Sequence, residues 1–572
     1  MAGKKGKKRS ETCNCFPLSD EENVTSDLMD TTLNQRRPAG WRAIPFVLNE
    51  TFERLASYGL MANFMVYLER EYHMNQVEAA TILNGWSAAS NFAPVIGAYV
   101  SDAFMGKFWT IVLGSFSSLL CDFPYDVQKT KAARLPMRAS TVVLCSNPAN
   151  MPKRNRNNIP GRTACAAPRV TTIISTIAVL SSKDSSQSEI ACSVLTLVPR
   201  ILLPILNAND ISWALGFGIP TLCMIFAIVL FFVGTRIYVY IKPKGSVVAG
   251  VAQVFVAAYK KRRFYIAVDG VDGQFYDPPL TTSLLCVREL HLTTQYRFLN
   301  KAALVIDDEV NLDGSCKNPW MLCTIQQVED VKCLLNIIPI WVTSILGFLA
   351  MNQQGTFTVS QALKMDLQFG STIKIPAGSV GVITLIAIAV WLPFYDRVLV
   401  PALEKITKLE GGITVLQRIG VGNLFSILTM LVSGFIETKR RNSALSHGGP
   451  DGVAPMSVMW LTPQLILIGF AEIFSIVGLI EFYNKQFPEH MRSIGNSLIY
   501  LTFSLASYAS NWIISIVNDV TGRSGSSWLS GDINTSKLDK FYFLIAGISL
   551  LDFVVFMFCA RRYHYRGSVR IN

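Results

Sequence analysis

Glu50, Glu53 and Arg54 stand three and four positions apart in the run Asn49-Glu-Thr-Phe-Glu-Arg-Leu-Ala-Ser-Tyr58-Gly59, within the otherwise apolar stretch 43–68. On a helix this spacing puts two carboxylates and a guanidinium on one face. Charges at membrane depth are expensive, so they need one another or water. Two acids beside one base cannot both ionise cheaply, and one of them holds its proton more tightly than a free carboxyl does. The chemistry on offer is reversible protonation, set against the plainer alternative of a static ion pair that locks two helices. A further acid, Glu472, lies in the middle of the apolar run 458–483, nine residues before Glu481, and needs water, a solute or a base opposite it, or else a structural hydrogen bond to a neighbouring helix.

Membrane-spanning helices must hold these residues, and the composition supplies them. Half of the 572 residues are apolar and 11% are aromatic, while 16% are charged, against about a quarter in soluble proteins. That balance excludes disordered, collagen-like and coiled-coil chains and disfavours a soluble multidomain enzyme. The net charge of +12 is then assigned to cytosolic loops and membrane edges, not to a nucleic-acid partner. Twelve cysteines make no dense framework, and Cys13 with Cys15 is too isolated for a four-ligand zinc site. Neither a disulfide nor a metal is expected. His73, His291, His447, His490 and His564 all fall in expected loops or tails, so no intramembrane histidine is expected to relay protons or bind an anion.

Apolar stretches of roughly 20 residues, enough to cross about 30 Å of hydrocarbon, recur at 43–68, 79–101, 212–240, 333–352, 376–395, 413–436, 458–483, 495–518 and 541–560, with a shorter run at 108–120. The expected organisation is a cytosolic disordered tail over 1–40, an N-terminal helical bundle over 41–241, a cytosolic central loop over 242–332, a C-terminal six-helix bundle over 333–562 and a cytosolic tail over 563–572. Residues 1–40 lack the apolar core of a signal peptide. Basic residues mostly agree with both termini inside. Lys439, Arg440 and Arg441 disagree, because they fall in a loop expected outside. Asp102 with Lys107 closes the second span, and Asp396 with Arg397 closes the eighth. An acid and a base at the same end of the second span of each half is what a duplicated six-span unit leaves; unrelated snorkelling charges are the alternative. Of the Asn-x-Ser/Thr triplets, only that at Asn534 falls in a loop expected outside, which is a weak glycosylation signal.

Residues 121–207 break the pattern. Eleven basic and four acidic residues stand in 121–200, and Met151-Pro-Lys-Arg-Asn-Arg-Asn-Asn-Ile-Pro-Gly-Arg162 does not fit hydrocarbon, where each charge costs about 2.5–3.5 kcal/mol at mid-depth. This stretch, where spans three to five belong, reads as a misread exon junction or a translated intron.

Glu50-x-x-Glu53-Arg54 matches the ExxER motif of the proton-dependent oligopeptide transporters, and the stretch from Trp41 to Tyr67 resembles their plant branch, the nitrate transporter 1/peptide transporter family. Further matches are Asp102-x-x-x-Gly106-Lys107, Arg297-Phe-Leu-Asn-Lys301-Ala-Ala, Cys323-Thr-Ile-Gln-Gln-Val-Glu-Asp, Pro339-Ile-Trp341, Gln353-Gln-Gly-Thr-Phe357, Leu392-Pro-Phe-Tyr-Asp396-Arg397 and Glu481-Phe-Tyr483. The likeness covers about 41–120 and 208–565, resuming at Ile211. It implies an all-α membrane protein of the major facilitator superfamily, nominally 12 transmembrane helices in two six-helix bundles, here with spans 3–5 damaged or missing. By the same resemblance Glu50, Glu53 and Arg54 carry proton coupling, and Tyr58 and Glu472 line the substrate cavity. Asp102, Lys107, Asp396 and Arg397 would then act as gating or structural charges. In peptide-carrying relatives the acid at the Glu472 position meets the substrate amine or pairs with a span-four lysine, which would fall within 121–207.

The expected function is a proton-coupled symporter of nitrate, di/tripeptides or related small organic anions, working by alternating access in a plant membrane, the plasma membrane rather than the vacuolar one. Its partners are the small solute, protons and the lipid bilayer; the proton gradient replaces a cofactor. Two other readings stand beside it: a membrane sensor that binds without transporting, and a transport-incompetent product of a faulty gene model. An enzyme is not expected, because the sequence has no GxSxG elbow, HExxH pair or GxxxxGK[ST] loop.

Overall fold

The computed structural model describes residues 73–122, 213–236, 247–264 and, with breaks, 275–565, together with Tyr238 and isolated positions between 48 and 69. Glu50, Arg54 and Tyr58 lie outside the described residues, as does nearly all of 121–207.

In the N-terminal half, α1 (Gln76–Val100) passes through a π turn at Ser101–Met105 into α2 (Gly106–Asp122), so the short run at 108–120 is a helix. At the junction Gly106 adopts φ 75° and ψ 163°, a region essentially reserved for glycine. Gly106→Ala is expected to cost about 1–3 kcal/mol, read as a lower melting temperature of the purified protein; an unchanged melt would contradict the strain. After α3 (Trp213–Val233) the chain leaves the bundle.

The segment between the halves is built, not bare. Helix α4 (Val247–Lys260) buries Val254, Ala257 and Ala258 against Leu299 of α5 (Arg297–Asn300), Ala302, Ala303, Cys323, Val328 and Val331. Buried Lys261 reaches Glu309 at 2.7 Å and the Leu304 carbonyl at 2.6 Å. Burial pushes the Cys323 thiol up to about 11, which keeps it protonated at neutral pH. Helix α6 (Ile325–Gly347) starts ahead of the expected 333, fixed by a capping box in which Thr324 and Gln327 exchange side-chain and backbone bonds. Its polar first turns hid that start in the sequence. Glu329, Asp330 and Lys332 are all buried there; Lys332 Nζ lies 2.7 Å from Glu329 and donates to the Thr293 carbonyl at 2.9 Å.

Beyond α6 the same span continues as α7 (Leu349–Leu363), broken only at Phe348. The next span is α8 (Val382–Phe394), a π turn at Tyr395–Leu399 and α9 (Val400–Thr407). It is followed by α10 (Val415–His447), then α11 (Thr462–Glu472) with a π turn at Ile473–Val477 and α12 (Gly478–Gln486). Helices α13 (Arg492–Arg523) and α14 (Leu538–Arg562) complete the half. All of these except α13 are long and apolar enough to cross a membrane. Helix α13 is more polar because it buries a stripe of Ser497, Thr502, Ser504, Ser507 and Ser510. Short strands β1 (Met365–Asp366) and β4 (Ala454–Ser457) pair in parallel, and β2 (Gln368–Phe369) pairs with β3 (Ile373–Lys374). Besides a smaller cluster around Ala362, Val380 and Leu465, two large apolar clusters form the core of this half. One joins Leu349, Ala350, Phe357, Met430, Phe541 and Ile545; the other joins Ile337, Ile340, Phe348, Ile419, Tyr483 and Phe556.

The basic triplet that opposed the expected topology is not in a loop. Helix α10 runs well past residue 436, and its 33 residues at 1.5 Å each span about 50 Å, more than the hydrocarbon is thick. Arg440 is fully buried: Nε and Nη2 reach the two Glu437 oxygens at 2.8 and 2.7 Å, and Nη1 donates to Asn534 Oδ1 at 2.7 Å. Gln361 donates to Glu437 Oε2 at 2.8 Å. Lys439 stands 3.6 Å over the Trp460 ring, and Arg441 pairs with Asp539 at 2.8 Å. All three bases are held by partners, so they carry little topological information. Asn534 is likewise spoken for: buried, it accepts from Arg440 and donates to the Gly452 carbonyl at 2.7 Å, which leaves no room for a glycan in the fold.

Candidate functional site

The opening span touches two of the three helices described in its bundle, α1 and α3. The Phe52 ring meets Phe226 of α3 edge-on at 4.9 Å, and Phe64 lies 5.9 Å from Trp86 of α1. Between these contacts Glu53 is 2% exposed, with Asn49 buried one turn before it. The sequence thus delivers a carboxyl to the interior of the N-terminal bundle. The residues expected to share its face, Glu50 and Arg54, and the expected cavity residue Tyr58 fall outside the described residues.

Among the described residues, the bonds that join the halves are mostly neutral. Asn84 of α1 donates to Ser510 Oγ of α13 at 3.3 Å, and its Oδ1 stands 2.9 Å from Thr356 Oγ1 of α7. Gln353 donates to the same Ser510 at 2.7 Å. Ser504 donates to the Ala88 carbonyl at 2.8 Å and Asn511 to the Thr81 carbonyl at 3.1 Å. Nearer the end of the opening span, Ser360 donates to Glu69 at 2.7 Å. Neutral bonds of this kind contribute about 0.5–1.5 kcal/mol each, so they hold the described part of the seam while it is closed and part at modest cost.

Three of the acids singled out in the sequence, Asp102, Asp396 and Glu472, sit at or beside π turns. Asp102 and Asp396 are each the second residue of one, at corresponding ends of the second span of each half. Glu472, half-buried, immediately precedes the third described one. Such turns widen a helix locally and often mark functional positions. Lys107 follows Gly106 into α2. Asp396 and Arg397 are both exposed, and the base that faces their turn is Arg418 of α10. It lies 5.3 Å from the Tyr395 ring and is hydrogen-bonded to Glu481, which Lys485 also reaches at 2.7 Å. The pairing read from adjacency in sequence is thus a junction of three spans. Near Glu472, α10 comes close because Gly422 has no side chain: a Cβ there would stand 2.7 Å from the Ser475 nitrogen.

A POT-family model matches residues 193–529, more than half of the chain. The chain belongs to the POT family. Its NRT1/PTR branch is shown by 48% identity to NRT1/PTR FAMILY 2.14 of Arabidopsis thaliana, covering 96% of this chain and 99% of that one. Identity to Protein NRT1/ PTR FAMILY 2.13 of the same plant is 42%, over 95% and 90%. Among solved structures, the POT family transporter PepTSo superposes with TM-score 0.61 at 17% identity over 91% of this chain and 98% of that one. An auto-inhibited POT family peptide transporter gives 0.60 at 18% identity over 93% and 99%. These likenesses show the all-α major facilitator fold, and the family is one of membrane transporters. The POT match opens at 193, before Ile211, so the last part of 121–207 is family sequence and not foreign to it.

Sequence reasoning missed the Glu437–Arg440 pair and the Arg418–Glu481 bond. A signal for the first was present: Glu437-x-x-Arg440 has the i,i+3 spacing of a helical ion pair, but it lies past the end of the apolar run. Arg418 was hidden inside the run 413–436 as a lone base, and nothing local names its partner 63 residues away.

Proposed function

We propose that this POT-family chain is a proton-coupled symporter that moves a small solute (nitrate, a di- or tripeptide, or a related small organic anion) across the plasma membrane by alternating access. The observation that carries the proposal is the burial of Glu53 in the opening span. A bare charge in the interior of a bundle is costly, so a buried acid either pairs with a base or takes up a proton, and one that does both in turn is a proton-coupling site. The neutral bonds of Asn84, Ser504 and Asn511 across the described seam support a rocking motion, since each parts at modest cost. Glu50 and Arg54 complete the proton site in this reading. Tyr58 and Glu472 face the solute, and the Asp102, Lys107, Asp396 and Arg397 region adjusts the cytosolic gate. Protonation of the acid pair releases Arg54 and permits the inward swing, and loss of the proton to the cytosol resets it.

Oocytes expressing the full chain test this with a panel of nitrate, dipeptides and small carboxylates. At least one solute is expected to evoke an inward current that grows as the bath is acidified and as the membrane is hyperpolarised. Specific binding with no current for any of them would favour the sensor instead.

A further inference from the structure

A polar layer crosses the C-terminal bundle where its two largest apolar clusters meet. On α14, Ser549 and Asp552 lie between Ala546 of one cluster and Phe556 of the other; on α10, Asn423 and Ser426 lie between Ile419 and Met430 in the same way. Helices α10 and α14 run antiparallel. Gly420 faces Phe556 and Gly434 faces Phe543, which sets 423–426 opposite the stretch holding Ser549 and Asp552. The third wall is the break between α6 and α7. Asn423 Oδ1 stands 2.9 Å from where a Cβ on Gly347 would lie, one residue before Phe348 interrupts the span.

All four polar side chains are at least nine-tenths buried, Asp552 at 4% exposure. Asp552 Oδ2, Ser549 Oγ, Asn423 Nδ2 and Ser426 Oγ have no hydrogen-bond partner among the described residues. The surrounding stretches supply no counter-charge. The α6–α7 span has no ionisable side chain between Cys333 and Lys364, α10 has none between Arg418 and Glu437, and α14 has only Asp552 between Tyr542 and Cys559. Arg418 stands among the α10 residues of one cluster and is bonded to Glu481, and the mutually neutralised Glu437–Arg440 pair lies beyond Met430 of the other. A carboxylate in such a place is neutralised rather than left ionised. The neutral acid both donates and accepts, whereas the ionised form only accepts, so a proton lets Asp552 bond Asn423 and Ser549 together.

We propose that Asp552 is a buried proton site, its carboxyl holding a proton at neutral pH and tying α14 and α10 to the break in the α6–α7 span. The site is separate from Glu53, and it stands whether or not Glu53 couples transport. Release of this proton places a charge at the one interruption of that span, so acidity acts on the fold at a second point.

Infrared spectra of the full chain in lipid nanodiscs, in light and heavy water at neutral pH, test the assignment. The wild type is expected to show a carboxylic C=O band that shifts on deuteration, that is lost in Asp552→Asn and that moves in frequency in Ser549→Ala, which keeps the acid but removes a neighbour. The folded chain keeps this proton while the unfolded chain releases it, so wild-type thermal stability falls as pH rises and that of Asp552→Asn does not. Spectra of wild type and Ser549→Ala that superimpose in this region, with a stability that ignores pH, would overturn the proposal. So would sodium-dependent stabilisation of the wild type that Asp552→Asn lacks, since it would mean an ionised acid paired with a metal cation.

Discussion

Glu53→Gln is expected to lower proton-driven accumulation of the solute to less than about a tenth of wild type, while exchange of labelled for unlabelled solute across the same membrane survives. A shift of one pKa unit is worth about 1.4 kcal/mol, so an acid that gains and loses its proton during the cycle can transmit several kcal/mol of gradient energy; an amide transmits none. Glutamine keeps the size and hydrogen-bonding shape of the protonated acid, and the 2% exposure of Glu53 means that a smaller residue would confuse lost coupling with lost packing. Exchange needs only the rocking of the bundles, which the neutral bonds of Asn84, Ser504 and Ser510 leave intact. Accumulation and exchange measured in parallel in one proteoliposome preparation separate the two. Full uphill uptake by the variant would remove Glu53 from the coupling machinery.

Arg440→Leu is expected to be the most damaging single change to stability in the C-terminal bundle. It leaves Glu437, fully buried, without the guanidinium that meets both its oxygens, and stranding a buried charge in this way costs about 3–5 kcal/mol. Asn534 and the Ile533 carbonyl lose a donor as well. The double variant Glu437→Gln/Arg440→Leu removes the charge along with its partner. It is expected to recover most of the loss, because Gln361 can still bond the amide. Thermal melts of the wild type, both single variants and the double close the cycle. Additive losses would mean that the pair contributes nothing as a pair.

The spans were legible because membrane helices advertise themselves by length and apolarity. The runs around 376–395, 458–483 and 541–560 became α8, α11–α12 and α14 for that reason alone. The boundaries were less legible, because helices extend past the hydrocarbon into polar sequence. The Thr324 capping box and the last turns of α10 before His447 both lie beyond the apolar signal. Within the candidate site, the burial of Glu53 could be read from its place in an apolar run. The partner of Arg418 could not, because the chain separation between Arg418 and Glu481 is closed only by the packing of α10 on α12. Asp552 was passed over for the opposite reason: one acid in a long apolar run has no local pattern, and only the two clusters packed around it give it meaning.

Proton movement driven by the solute alone is the most direct test of the central claim. The full chain, reconstituted in liposomes with a trapped pH dye and equal pH on both sides, is given an inward solute gradient with the membrane potential clamped by potassium and valinomycin. The account predicts internal acidification that follows solute entry and is absent in Glu53→Gln. Solute that enters the wild type at full rate with no change in internal pH would contradict it.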